Sequence, residues 1–167
     1  MCRVALRKGL TMRKRSKYRP KKVLVNPVGY VLESMTPLGS HDDTLINLKL
    51  KHHYAMTALT QGKAEKDDMD KLIGMANMTE ALFRLGFGTE YKDIITLGNS
   101  ALLAVSRRGA ESSRFILRAD EMRALNELVE LHDAQLEVIN VKDVERAIAL
   151  VENERKQKRM TSIIERT

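Results

Sequence analysis

Sulfur chemistry is nearly missing from this sequence: its only cysteine, Cys2, stands at the second of 167 positions. One cysteine forms no intramolecular disulfide and cannot supply a cysteine-based metal site, a usage that suits a reducing cytosol. No apolar run approaches the roughly 18 residues needed to span a bilayer, and the basic N-terminus is not followed by the apolar stretch of a secretory signal. The expectation is a cytoplasmic protein with no membrane contact. Acid is also missing where it would be most conspicuous. Residues 1–22 hold ten Lys and Arg with no Asp or Glu, so the remainder carries 19 cations against 22 acids. The overall charge of +7 is therefore an appendage on a mildly acidic body.

Catalytic signatures are absent as well. There is no P-loop, no HExxH and no Glu-x-x-His pair at any of the four histidines, His41, His52, His53 and His132. "GNS" at 98–100 lacks the flanking pattern of a nucleophile elbow, and "GFG" at 86–88 lacks the third glycine and preceding strand of a dinucleotide fingerprint. His132 and Asp133 are adjacent, but consecutive residues of a helix diverge by about 100 degrees and do not face each other. No enzyme activity, no metal and no small-molecule cofactor is expected. His52 and His132 fall within apolar stripes, where a neutral imidazole hydrogen-bonded to a neighbouring helix is the simpler reading and a metal ligand the sharper one.

What is present is helical periodicity. A chain of this length can bury roughly two thirds of its unfolded surface, enough for one domain with its own core. Asn26 followed by Pro27 has the form of an N-cap with proline at the first helical position, and Val28, Val31, Leu32 and Met35 share one face of the short helix that follows. Thr36 before Pro37 ends it. A helix over about 44–61, stopped by Gly62, places Leu45, Leu48, His52, Ala55, Met56 and Leu59 on one stripe. The next, over about 67–85, begins with Asp67, Asp68 and Asp70, where the dipole favours negative charge.

That third helix has two apolar faces. Met69, Leu72, Ala76, Thr79 and Phe83 form one, while Gly74, Met78, Ala81 and Leu85 form the other, so the helix is expected either at the centre or at an interface with a partner or a twin subunit. Thr89 is expected to cap a helix running to about Arg108, with Gly109 beyond its end. The clearest stripe in the chain spans 119–139, through Met122, Leu125, Val129, His132, Leu136 and Ile139. Asn140 then caps a last helix whose apolar stripe of Val144, Ala147, Ile148 and Val151 stops before "ENERKQKR". Most of the nine methionines fit helical faces and read as core filling rather than as an adaptable binding surface.

The fold class that follows is all-α: a single-domain bundle of about five main helices plus a short N-terminal helix, with strand content near zero. Its organisation reads as a disordered basic arm over 1–22, a helical domain over 23–151, and a charged, frayed extension over 152–167.

The arm is the one stretch with chemistry for a ligand. Lys and Arg gain affinity for phosphates by releasing condensed counterions. Arg13, Lys14, Arg15, Lys17, Arg19, Lys21 and Lys22 are candidates for that contact, with Tyr18 placed among them to stack on an exposed base. The competing reading is a solubilising tail. A helix-turn-helix around Gly86–Thr89 is disfavoured, because both flanking helices are longer than that motif uses and few cations open the second.

Three stretches, "YRPKKVLVNPVGYVLE", "DDMDKLIGMANMTEALFRLGFG" and "ALNELVELHDAQLE", resemble small all-helical proteins encoded in bacteriophage and prophage genomes. The resemblance covers about Lys17 to Val151. It implies a host bacterial cytoplasm as context, and because that group has no assigned activity it transfers no site residue. The functional expectation is a non-enzymatic, phage-type accessory binding protein with an arm that contacts nucleic acid non-specifically. The alternative is a modulator of a host protein, used in host takeover or anti-defence, that acts through an apolar helix face without nucleic acid. Self-association as a homodimer through Gly74, Met78, Ala81 and Leu85 remains open beside both.

Overall fold

The computed structural model describes residues 26–40 and 42–157. They form six α-helices: α1 (Pro27–Ser34), α2 (Asp42–Thr60), α3 (Lys66–Arg84), α4 (Lys92–Ser112), α5 (Ala119–Val138) and α6 (Val141–Lys156). Short 3-10 turns at Leu38–Ser40 and Thr89–Tyr91 precede α2 and α4. The described residues contain no strand, only an isolated antiparallel bridge between Pro37 and Asn140. No helix among them is long and apolar enough to cross a membrane. The chain is an all-α bundle, as its periodicity predicts.

Local chemistry sets the helix ends. The Asn26 side chain accepts a hydrogen bond from the Gly29 N–H at 2.9 Å, with proline in the first turn where its missing N–H costs nothing. At α6 the Asn140 side chain accepts from the Asp143 N–H at 3.0 Å while Asp143 accepts from the Asn140 N–H at 3.4 Å, a reciprocal capping box. Gly62 takes a φ of 67 degrees at the close of α2, a left-handed conformation that most residues resist.

Two ends differ from expectation. Gly109 does not terminate α4, which continues to Ser112 and closes on Ser113 in the left-handed region. Gly109 is instead buried under the Phe115 ring, which folds back from the following loop into the space a Cβ would occupy. Smallness, not helix breaking, is its role. Likewise Thr89 does not cap α4 but opens the 3-10 turn before it, and Tyr91 holds the cap position. α6 continues past its apolar stripe to Lys156, mostly exposed, with Arg84 of α3 bonding Glu154 at 3.3 Å and its own Glu80 at 2.6 Å. Residues 158–167, the remainder of the expected extension, lie outside the described residues.

α3 is the central element and packs against α2, α4, α5 and α6. Its two apolar faces serve two core clusters. The first gathers Met56 and Leu59 from α2, Met69, Leu72 and Met75 from α3, Ile95, Leu102 and Val105 from α4, and Leu125, Leu128 and Val129 from α5. The second joins Ala81 and Leu82 of α3 to Leu136, Ile139 and Ala147, with Leu38 contributed by the first 3-10 turn. α4 and α5 approach closely because Gly98 faces Leu128: a Cβ at residue 98 would stand 2.6 Å from the Leu128 Cδ2. Met56, Met69 and Met75 are core residues, whereas Met35 is 65% exposed.

Candidate interaction surfaces

Arg13, Lys14, Arg15, Lys17, Tyr18, Arg19, Lys21 and Lys22 all lie outside the described residues. The face marked by Gly74, Met78, Ala81 and Leu85 lies within them. Ala81 is buried in the second core cluster, with Met78 and Leu85 packed against that cluster beside Val144, Leu150 and Val151 of α6; only Gly74 is on the surface. Of the two readings open for that face, the central one describes what is seen. α6 covers it, so it does not offer a free interface in this chain.

A polar seam crosses the bundle between α2, α3 and α5. The Nδ1 of His132 stands 3.0 Å from Thr79 Oγ1, whose hydroxyl is also 3.0 Å from the Met75 carbonyl. A helical threonine hydroxyl donates back to that carbonyl, so its free lone pair accepts the Nδ1–H of a neutral His132. His132 is buried, and burial, followed by the neighbouring His52 and Lys49, pushes its pKa down to about 3. The two imidazoles meet edge to face with centroids 5.1 Å apart. His52 is lowered too, chiefly by burial, with Asp133 opposing and His53 and Lys51 reinforcing.

On the outer side of the seam His53 Nε2 pairs with Asp133 Oδ2 at 2.8 Å, and Lys49 with Glu137 at 2.8 Å. His132 and Asp133 thus point to different neighbours, as helix geometry requires. Gln135 completes the seam by donating to the Phe87 carbonyl at 3.0 Å and to the Thr79 carbonyl at 3.3 Å. Among the described residues no group of three or more His, Cys, Asp or Glu is placed to hold a metal ion. The seam fixes the register of α2 and α3 against α5. Its hydrogen-bonded, neutral imidazole leaves His132 poorly suited to accepting or donating a proton near neutral pH.

Exposed apolar surface lies elsewhere. On α2, Ile46, Leu50 and Tyr54 are 52%, 42% and 70% exposed and follow one another at intervals of four, opposite the stripe that faces the core. On α1, Val28, Val31, Leu32 and Met35 all face outward. That helix is held by other means: Tyr30 donates to Glu145 of α6 at 2.6 Å, Leu38 N–H donates to the Ile139 carbonyl at 3.0 Å, and Val141 N–H donates to the Thr36 carbonyl at 3.2 Å. The α2 stripe was legible in the sequence as the i, i+4, i+8 spacing of Ile46, Leu50 and Tyr54, masked by the stronger stripe on the other side of the same helix.

Comparison with protein-family models, with curated proteins and with solved structures gives no match.

Proposed function

We propose that this is a non-enzymatic, phage-type accessory binding protein whose basic arm contacts nucleic acid non-specifically while the helical body presents an apolar surface to a macromolecule. One observation carries the reading. Ten cations and no acid occupy residues 1–22, whereas residues 26–157 hold 16 Lys and Arg against 21 Asp and Glu. A body of that sign repels phosphates, so attraction has to come from the arm. Six phosphate contacts would give a slope of log affinity against log salt near about −5 on duplex DNA, and a shallower one on single strands. The test is gel-shift titration of the full chain and of a chain starting at Val23, against random single- and double-stranded DNA and RNA at several salt concentrations. Binding that disappears with the arm and follows that slope supports the reading; equal binding by both chains refutes it.

A second reading is favoured by a separate observation. The exposed apolar rows on α1 and α2 are larger than scattered surface residues require, and such rows mark protein contacts when they are contiguous. A modulator of a host protein would use the α2 row, Ile46, Leu50 and Tyr54, rather than the face of α3 that α6 covers.

A further inference from the structure

Helix α1 lacks the burial that would hold so short a helix together. It has eight residues, fewer than the roughly 12–15 at which an isolated helix becomes even marginal, so its stability has to come from packing an apolar face. That face is open: Val28, Val31, Leu32 and the C-cap Met35 are 68%, 51%, 67% and 65% exposed. What ties α1 to the body is polar, the Tyr30 hydroxyl on Glu145 and the backbone bonds of Thr36 and Leu38. α2 has the opposite arrangement. Its inner stripe packs against α3 and α5, while its outer row of Ile46, Leu50 and Tyr54 stays open to solvent.

We propose that the chain forms a two-fold dimer by reciprocal exchange, the α1 face of each copy seated on the α2 row of the other. Self-complementarity, area and charge select a second copy as the occupant. An isologous interface needs a surface that complements itself, and every copy carries both halves of this contact. The α1 stripe repeats at i, i+3, i+4 and i+7, the α2 row at i, i+4 and i+8. At about 1.5 Å per residue they run about 10 Å and about 12 Å, so each covers the other as ridge into groove. Ser34 and Asp42, the facing ends of the two helices, are joined by at most about 29 Å of extended chain, which keeps both stripes in one region of the surface.

The area is that of a stable dimer. On a scale of about 150–250 Å² for a large apolar residue, the seven exposed side chains leave roughly 600–1,000 Å² per copy. A standard interface takes about 800 Å² from each partner, and neither stripe reaches that alone.

Charge completes the match. Glu33 stands beside Leu32 and Lys51 beside Leu50, both exposed, and among the described residues neither has an ionic partner within 4.0 Å. The exchange sets the acid of each copy against the base of the other, on both sides of the two-fold axis. This dimer stands without the nucleic-acid reading. It occupies the row that a host-protein modulator would use, so the two are exclusive at that surface.

Sedimentation velocity and light scattering of the full chain test it, from micromolar to near-millimolar concentration and in reducing buffer, so that Cys2 cannot link copies. The parent should be a dimer in the micromolar range. Leu32→Lys/Met35→Lys on α1 and Leu50→Lys/Tyr54→Lys on α2 should each weaken it about 100-fold or more, with helical dichroism retained. Mixing the two variants is the deciding step. One copy then keeps an intact α1 face and the other an intact α2 row, so one contact re-forms and a heterodimer appears that neither variant gives alone. Pairing of α1 with α1 and of α2 with α2 predicts the reverse, since each variant alone would keep one contact and the mixture none. Glu33→Lys should weaken the dimer about tenfold, and adding Lys51→Glu should restore it; this exchange places no charge in an apolar site and carries the test if a lysine pair unfolds the chain. A parent that stays monomeric throughout, a dimer that survives both lysine pairs, or a mixture that does not complement overturns the proposal. So does a monomer whose α2 row is taken by another protein.

Discussion

Thr79 and His132 meet at 3.0 Å in the interior, 53 residues apart in sequence, and the contact selects which nitrogen of the neutral imidazole carries its proton, while burial keeps the ring neutral. A neutral, buried His132 makes stability depend on pH. Its folded-state pKa is depressed to about 3, below the ordinary value near 6.5, so the unfolded chain takes up the proton first as the solution is acidified. The contribution is fully present above about pH 6.5 and is lost progressively as pH falls toward 3. Each pH unit in that window removes about 1.4 kcal/mol, so the fall from pH 6.5 to 5 should cost about 2 kcal/mol, and His52 shifts in the same direction. Urea unfolding at a series of pH values checks this. His132→Phe should flatten the slope between pH 6.5 and 4; an unchanged slope would show that another group titrates.

Arg108 and Glu121 set a second pH window. Both guanidinium nitrogens bond the carboxylate, one at 2.6 Å and the other at 2.5 Å, and Arg108 also donates to the Ile116 carbonyl at 2.9 Å. Burial alone would raise the Glu121 pKa, but the Arg108 hydrogen bonds, the Arg118 N–H at 2.8 Å and the two positive charges outweigh it and hold the carboxyl below its usual range. A depressed carboxylate contributes stability above its unfolded pKa, near 4.3, and loses it as pH falls through the folded value. Glu121→Gln should therefore cost about 2 kcal/mol at neutral pH, the scale of a charge-assisted bond with one partner removed. Amide exchange over residues 113–118 should accelerate with it, because this clamp ties that loop to the α4–α5 pair.

Helix propensity and packing make opposite forecasts for Gly98 and Gly109. In an unencumbered helix, alanine is better than glycine by about 0.8–1 kcal/mol. At residue 98 the new methyl would press on Leu128, itself fully buried between two helices. Overpacking of that kind costs about 1–3 kcal/mol, so Gly98→Ala should be destabilising on balance. Gly109→Ala displaces Phe115, which belongs to a loop and can move. It should therefore be milder at the backbone level while exposing the ring. Thermal unfolding of the two variants checks the order; equal stabilisation by both would show that α4 and α5 separate easily.

These particulars show why some of the structure was readable and some was not. Period-3.6 stripes, an Asn-Pro cap and a terminal glycine are local signals, and they located α1, α2, α3, α5 and α6 within a few residues. Gly109 misled because a buried glycine under an aromatic ring and a glycine that ends a helix look alike along the chain; the difference is a tertiary contact with Phe115. Thr89 misled in the same way, because a threonine that opens a 3-10 turn and one that caps an α-helix look alike along the chain. The double face of α3 was correctly marked as apolar on both sides, yet periodicity carries no information on whether its cover is α6 or another molecule. On α1 the same limitation ran the other way: four apolar residues share a face that the bundle leaves uncovered.

The two apolar faces weighed for partner binding should separate under the same kind of substitution. Ala81 lies at 4% exposure beneath α6, so Ala81→Lys would bury a charge without a partner and overfill a packed site. Its cost should be large, about 3 kcal/mol or more, and much of the population should unfold near physiological temperature. Leu50 and Tyr54 project from the side of α2 opposite the core, and Leu50→Lys with Tyr54→Lys should change stability by no more than about 0.5 kcal/mol each. If the α2 row is the working surface, the double variant keeps its melting temperature and loses any self-association seen by light scattering or any partner retained by the parent chain. A double variant that melts well below the parent would mean that Leu50 and Tyr54 support the fold, and the apolar surface offered to a partner would then reduce to α1.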